Sequence, residues 1–117
     1  MSKSVLKDKS YAFAILIVKL SQFLVKEKRE YILSKQLLRS GTAIGALIRE
    51  AEFAQSKADF INKMSISLKE ANETLYWLDL LKDSDYITEE SHLIHYNLNK
   101  ELVAMLVSSI KTTKSRQ

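Results

Sequence analysis

A chain of 117 residues is long enough for one domain with its own core, and the absence of cysteine removes disulfides, thiol nucleophiles and thiolate zinc sites together. With no proline and only two glycines, the chain lacks the turn residues of a β-rich fold, so composition points to an all-α protein. The net charge of +4 is unevenly spread: residues 1–55 carry ten Lys/Arg against five Asp/Glu, residues 56–100 five against eight, and residues 101–117 three against one.

The first predicted helix covers roughly residues 5–28, with Phe13, Leu16, Leu20 and Phe23/Leu24 on one stripe. Lys3, Lys7 and Lys9 before "YAFAILIV" imitate a signal peptide, but no small-residue cleavage site follows. Lys19 interrupts the run well short of the ~20 apolar residues that a spanning helix needs. A cytoplasmic protein with no membrane partner is expected. Tyr11–Val18 is nevertheless apolar around the whole helix, and such a segment is buried on more than one side. One bundle has no second layer to cover it, so a homo-oligomer is expected, with Tyr11, Phe13, Ile15 and Ile17 at the subunit contact.

"KEKRE" breaks the pattern at Lys26–Glu30, and a second helix is predicted over residues 31–54. It holds both glycines. Ser40-Gly41 reads as a turn that divides two helices, but Leu37, Gly41, Ile44, Ile48 and Ala51 keep one helical phase through it. A continuous helix follows, with Gly41 and Gly45 facing inward. Each glycine costs roughly 1 kcal/mol of helix propensity, which closer packing of a neighbouring helix offsets. Gly45 is the expected point of closest approach.

In "QSKAD", Ser56 reads as an N-cap with Asp59 three positions on. The third helix is predicted over residues 57–82, with Phe60, Met64, Ser67/Leu68, Ala71, Leu75 and Leu78 inward. Thr88 caps a fourth over residues 88–112, striped by Leu98, Leu102, Met105, Leu106 and Ile110. Residues 113–117 form a basic tail expected to fray. Four helices of about 22–27 residues would each span roughly 33–40 Å, and short loops force neighbours antiparallel. The predicted fold is an up-down-up-down four-helix bundle.

The stretches "RSGTAIGALIREAE" and "DFINKMSISLKEANETLYWL" resemble the bacterial proteins called 23S rRNA intervening sequence proteins (S23-type). These are similar in turn to the accessory variability protein of diversity-generating retroelements. The dense resemblance covers Leu37 to Leu81. Many members carry a Ser-Ile-Pro-Ser-Asn-Ile segment where this chain has "AIGALI", placing it with the glycine-bearing branch. The resemblance implies an antiparallel bundle assembling as a ring, with five as the expected number. It implies no enzymatic activity. From the retroelement relative it implies partnership with a reverse transcriptase and nucleic acid.

Chemistry-bearing patterns are sparse. Glu89-x-x-His92, with His95 one turn on, has the spacing of half a di-iron site. No second such pair exists in the sequence, and a solvated helix terminus accounts for it better than a metal. Gly-x-x-x-Gly lacks the lysine and the strand of a phosphate loop. No enzyme and no cofactor are expected. Arg39 and Arg49 face Glu70 and Glu73 across the second and third helices, either as rim ion pairs or as register-setting contacts. Tyr76-Trp77 reads as packing or interface, with Trp77 the anchor at a subunit contact. For RNA or DNA the candidates are Lys26, Lys28, Arg29, Lys35 and Arg39, with Lys111, Lys114 and Arg116 in the tail. The alternative is a protein-interaction scaffold or an accessory subunit for a nucleic-acid enzyme.

Overall fold

Four helices form, α1 (Ser2–Lys28), α2 (Leu33–Glu52), α3 (Lys57–Asp83) and α4 (Glu89–Ser115), in a computed structural model that describes residues 2–116. Each packs against the next, and α1 meets α4 to close the circuit, with no diagonal pair in contact among the described residues. This is the up-down-up-down bundle, a rod of 48 × 21 × 20 Å. Among the described residues there is no strand.

The turns form because specific groups end each helix. Ser56 caps α3, its Oγ accepting from the Asp59 amide at 3.0 Å, while Asp59 Oδ2 accepts from Gln55 N at 3.2 Å. Thr88 caps α4 in the same way through Ser91 N at 3.0 Å. Both caps stand where the sequence pattern puts them. The start of α2 is different: it begins at Leu33, not residue 31. Glu30 folds back, and its carboxylate accepts from the amides of Ile32, Leu33 and Ser34 at 3.3, 3.0 and 2.8 Å. A buried negative charge thus sits on the positive end of α2, where the dipole and three orphan donors stabilise it.

At the far end of α3, Asp85 adopts a left-handed conformation (φ 65°). The amides of Asp85 and Tyr86 then return to the carbonyls of Lys82 and Leu81 at 3.0 and 2.9 Å, a Schellman ending built on aspartate instead of glycine. α4 stays helical through Ser115, so the tail expected to fray from residue 113 is ordered through Arg116. Lys57 Nζ donates to the Arg116 carbonyl at 3.0 Å. Gln117 lies outside the described residues.

The second helix is continuous through both glycines, neither of which has a positive φ. Leu37, Gly41, Ile44, Ile48 and Ala51 are all buried, with Ser34 and Ser40 beside them. Both glycines face α1. A methyl placed on Gly41 would lie 2.8 Å from Cγ2 and 2.9 Å from Cγ1 of Ile17. One on Gly45 would lie 3.2 Å from Ser10 Oγ and 3.4 Å from the Ser10 carbonyl oxygen. An added methyl is tighter at Gly41, where it meets the Ile17 side chain, whereas at Gly45, the approach point expected from the sequence, it meets the backbone of α1.

Small hydroxyl residues continue the close packing on both sides of α2. Ser21 donates to the Ser34 carbonyl at 3.3 Å, Ser67 donates to the Ile44 carbonyl at 2.9 Å, and the Ser40 and Thr74 hydroxyls lie 2.9 Å apart. The core on α4 departs from its predicted stripe. Asn99, fully buried, takes the inward position expected for Leu98, which is partly exposed. Neither polar atom of the Asn99 side chain has a hydrogen-bond partner among the described residues.

Gly41→Ala is expected to destabilise the fold by about 1–3 kcal/mol, because Ile17 is stiff at its β-carbon and must be displaced. In an Ile17→Ala background the same change should be neutral or stabilising, since only the propensity gain of about 1 kcal/mol remains. Urea denaturation of the two singles and the double measures the coupling. Strictly additive effects would mean that the two residues do not touch.

Candidate functional site

An antiparallel bundle of four places the C-terminus of α1, the N-terminus of α2, the C-terminus of α3 and the N-terminus of α4 at one end of the rod. Lys26, Lys28, Arg29 and Lys35 gather there on the α1–α2 side. All are exposed, and none makes an ion pair with any described residue. On the α3–α4 side of the same end stand Asp79, Asp83, Asp85, Glu89 and Glu90. The two signs adjoin at this end: Glu27 is exposed between Lys26 and Lys28, and Lys28 lines a cavity together with Asp85. Like-charged lysines without carboxylate partners keep their charge available to an anion.

The rest of the expected basic set is dispersed. Lys111, Lys114 and Arg116 are exposed at the opposite end of the rod, on α4 and its cap. Arg39 is taken up elsewhere: its guanidinium pairs with Glu70 at 3.3 Å and with Glu73. Trp77 Nε1 donates to the same Glu73 carboxylate at 3.0 Å. The basic candidates therefore lie at two separate ends of the rod, and Arg39 belongs to an α2–α3 ion-pair network. Arg49 does not join that network. Its guanidinium lies 5.9 Å over the ring of Tyr11 on α1, and Lys63 pairs with the neighbouring Glu50 at 3.2 Å.

Arg29 reaches its place by backbone geometry. It is left-handed (φ 54°), which turns the chain so that the Glu30 amide returns to the Leu24 carbonyl at 2.9 Å. Glycine or asparagine is usual at such a position. The signal was absent from the pattern of "KEKRE", because neither Arg29 nor the capping role of Glu30 has a residue-type signature there.

A second feature is apolar. α1 presents Tyr11, Ile15, Val18 and Val25 to solvent, 58%, 41%, 38% and 39% exposed, with Gln22 completing spacings of four, three, four and three. That is the seam spacing of packed helices. Phe13 and Ile17, also expected at a subunit contact, are buried in the chain's own core. Residues two apart on a helix point to widely separated directions, so they fall on the opposite stripe from Ile15. Trp77 is half-buried against the core and tied to Glu73, leaving Tyr76 as the exposed member of that pair. On α4, Leu93 and Ile94 are also exposed.

His92 corrects another expectation. It is buried, not solvated: Nε2 lies 2.8 Å from Asp79 Oδ1, and its ring stacks on Tyr96 with centroids 5.0 Å apart. α3 brings Asp79 across to it. His95 Nδ1 meets the Ser91 carbonyl oxygen at 2.7 Å. Among the described residues no three His, Cys, Asp or Glu converge as metal ligands, and no helix is long and apolar enough to cross a membrane.

Comparison with known proteins agrees with this architecture. Residues 2–108 match the family model of the 23S rRNA-intervening sequence protein, and the chain belongs to that family. It is similar to a crystal structure of a protein with unknown function from the S23 ribosomal protein family of Bacteroides thetaiotaomicron. The identity is 58%, the TM-score is 0.94, and the match covers 95% of this chain and 99% of that one. No curated protein matches.

Replacing Arg29 by glycine removes the steric cost of a left-handed non-glycine residue. Arg29→Gly should raise the unfolding free energy by up to about 1 kcal/mol. A urea midpoint that falls instead would mean that the Arg29 side chain stabilises the turn by contacts that outweigh its backbone.

Proposed function

We propose that this member of the 23S rRNA-intervening sequence protein family is a non-enzymatic, self-assembling bundle that holds RNA or DNA on its basic α1–α2 end. The observation that carries the reading is the cluster of Lys26, Lys28, Arg29 and Lys35, exposed and unpaired among the described residues, with Glu27 exposed among them, Glu30 engaged at the start of α2, and the other acids of the same end on α3 and α4. Such a surface contacts phosphates and reads no bases, so binding is salt-dependent and indifferent to sequence.

Assembly follows from the outward stripe of Ile15, Val18 and Val25, which no helix of the same chain covers. We take the occupant to be further copies of the chain, in a ring for which five is the expected number. A ring repeats a weak patch, and repetition along one polymer raises avidity without any new contact. The surface reading extends to a second role, a platform for a nucleic-acid-handling protein, favoured by the exposed Leu93 and Ile94 on α4.

Replacing Lys26, Lys28 and Arg29 together with glutamine should weaken binding to every RNA and DNA sequence tested. The slope of log affinity against log salt should become shallower by about 0.7–0.9 for each phosphate no longer neutralised. Fluorescence anisotropy across a salt series reads both. Absence of binding by the wild-type protein at ~50 mM salt, where phosphate attraction is strong, would falsify the nucleic-acid reading.

Light scattering should give a mass several times 13.4 kDa. Ile15→Glu combined with Val18→Glu should reduce it to that of one chain while the helical circular dichroism is kept, because both side chains point away from the core. A wild-type monomer at micromolar concentration would remove the assembly argument.

A further inference from the structure

Beside α1 and α2, at the end of the rod opposite the Lys26–Lys35 cluster, lies a cleft of about 620 Å³. Its floor is made of small residues, Ser10, Ala14, Gly45 and Ala46, and its sides carry the rings of Tyr11 and Phe53. Phe53 is the C-cap of α2 and is 80% exposed, the most exposed large apolar residue among those described. Tyr11 is 58% exposed. Two aromatic rings left open at a cleft are a stacking surface without an occupant among the described residues.

Three cations and three carboxylates surround the cleft, and two of each form ion pairs. Lys7 pairs with Glu52 at 3.2 Å, and Lys63 pairs with Glu50 at 3.2 Å. Asp59 is engaged at the positive end of α3, accepting from the Gln55 amide. Arg49 has no carboxylate partner among the described residues; its guanidinium rests over the Tyr11 ring. The cleft therefore offers a cation outside any ion pair beside the exposed rings of Phe53 and Tyr11, with Arg49 itself lying over the latter.

From this we infer that the α1–α2 cleft is a one-nucleotide subsite for single-stranded nucleic acid, with a base stacked on Phe53 and Tyr11 and its phosphate on Arg49. A guanidinium suits a phosphate because its planar fork donates two parallel hydrogen bonds. Stacking accepts any base, since every base has a π-face. A purely anionic ligand would gain little from the aromatic walls, and a strongly charged one would meet Glu50 and Glu52. The inference rests on the proposed nucleic-acid function and adds where an unpaired strand is held. Tyr11 also belongs to the outward α1 stripe and Arg49 lines a depression with Ile15, so Phe53 is the residue whose alteration separates the cleft from that stripe.

The test uses the full chain and a short fluorescein-labelled oligoadenylate RNA, with anisotropy read over a salt series and light scattering run in parallel. Phe53→Ala should weaken binding by roughly 5- to 100-fold, the range for one unstacked base. Phe53→Trp should restore it. Arg49→Gln should make the salt slope shallower by about 0.7, one single-strand phosphate. Both side chains are exposed, and an unchanged melting curve verifies that the fold is intact. If the Lys26, Lys28 and Arg29 replacement weakens binding while Phe53→Ala and Arg49→Gln leave it unaltered, the subsite is wrong and the basic surface stands. No binding by the wild type at ~50 mM salt overturns both. A change in oligomeric mass on Phe53→Ala makes the cleft a subunit contact and overturns the subsite.

Discussion

The close seating of α1 on α2 is the constraint from which the rest of the molecule follows. Gly41 makes room for Ile17, Gly45 lets the backbone at Ser10 approach, and Ser21 reaches the Ser34 carbonyl further along. Dispersion attraction fades within an ångström of added separation, so removing two side chains lets many other atoms come into range. α2 is consequently the helix on which both neighbours are fixed: α1 through glycine, and α3 through Ser67 and Thr74. With α1 held this tightly by its inner stripe, its outer stripe has no freedom to turn inward. The apolar residues Ile15, Val18 and Val25 are left at the surface by geometry, not by a shortage of core.

The same seating decides where charge goes. Lys26, Lys28 and Lys35 flank the α1–α2 connection, at the same end of the rod as the acids that end α3 and begin α4, and Lys28 lines a cavity with Asp85. Within the bundle, Arg39 pairs across adjacent helices with Glu70 and Glu73, and Lys63 does so with Glu50. Such exposed pairs add little stability individually. Their effect is on register: Arg39 meets two carboxylates one turn apart, and Trp77 shares one of them. The remaining candidate cations lie at the two ends of the rod.

Where periodicity carried the information, the sequence was sufficient. The four helices, the caps at Ser56 and Thr88, and the inward phase of Leu37, Gly41, Ile44 and Ile48 could all be read from spacing and residue type. What escaped reading depends on tertiary partners. Glu30 caps α2 from outside the helix, a role that only the turn at Arg29 makes available. His92 is buried because α3 delivers Asp79, and nothing in "EESHLIHY" encodes that. Asn99 sits inward because the phase of α4 is set by Leu102, Leu106 and Ile110, so an amide occupies a site that hydropathy assigned to Leu98. Phe13 and Ile17 were misplaced for a related reason: in an all-round apolar segment the pattern cannot say which stripe faces the core. Of the site residues, the cations were legible but not their pairing, which separates Arg39 from Lys35 and leaves Arg49 over Tyr11.

The order in which the helices meet also bears on how the chain acquires its shape. α1 packs on α2, α2 on α3 and α3 on α4, and α1 and α4 share the thinnest of the four interfaces. Three of the four interfaces therefore join segments adjacent along the chain and need only short loops to close. Bundles rich in such local contacts fold on microsecond-to-millisecond timescales. The seam between α1 and α4 is the one closure that spans the whole chain, and it is the thinnest of the four. A conformational change that leaves α2 and its glycine contacts intact can open this edge and the α3–α4 seam, freeing α4 while α1, α2 and α3 stay together.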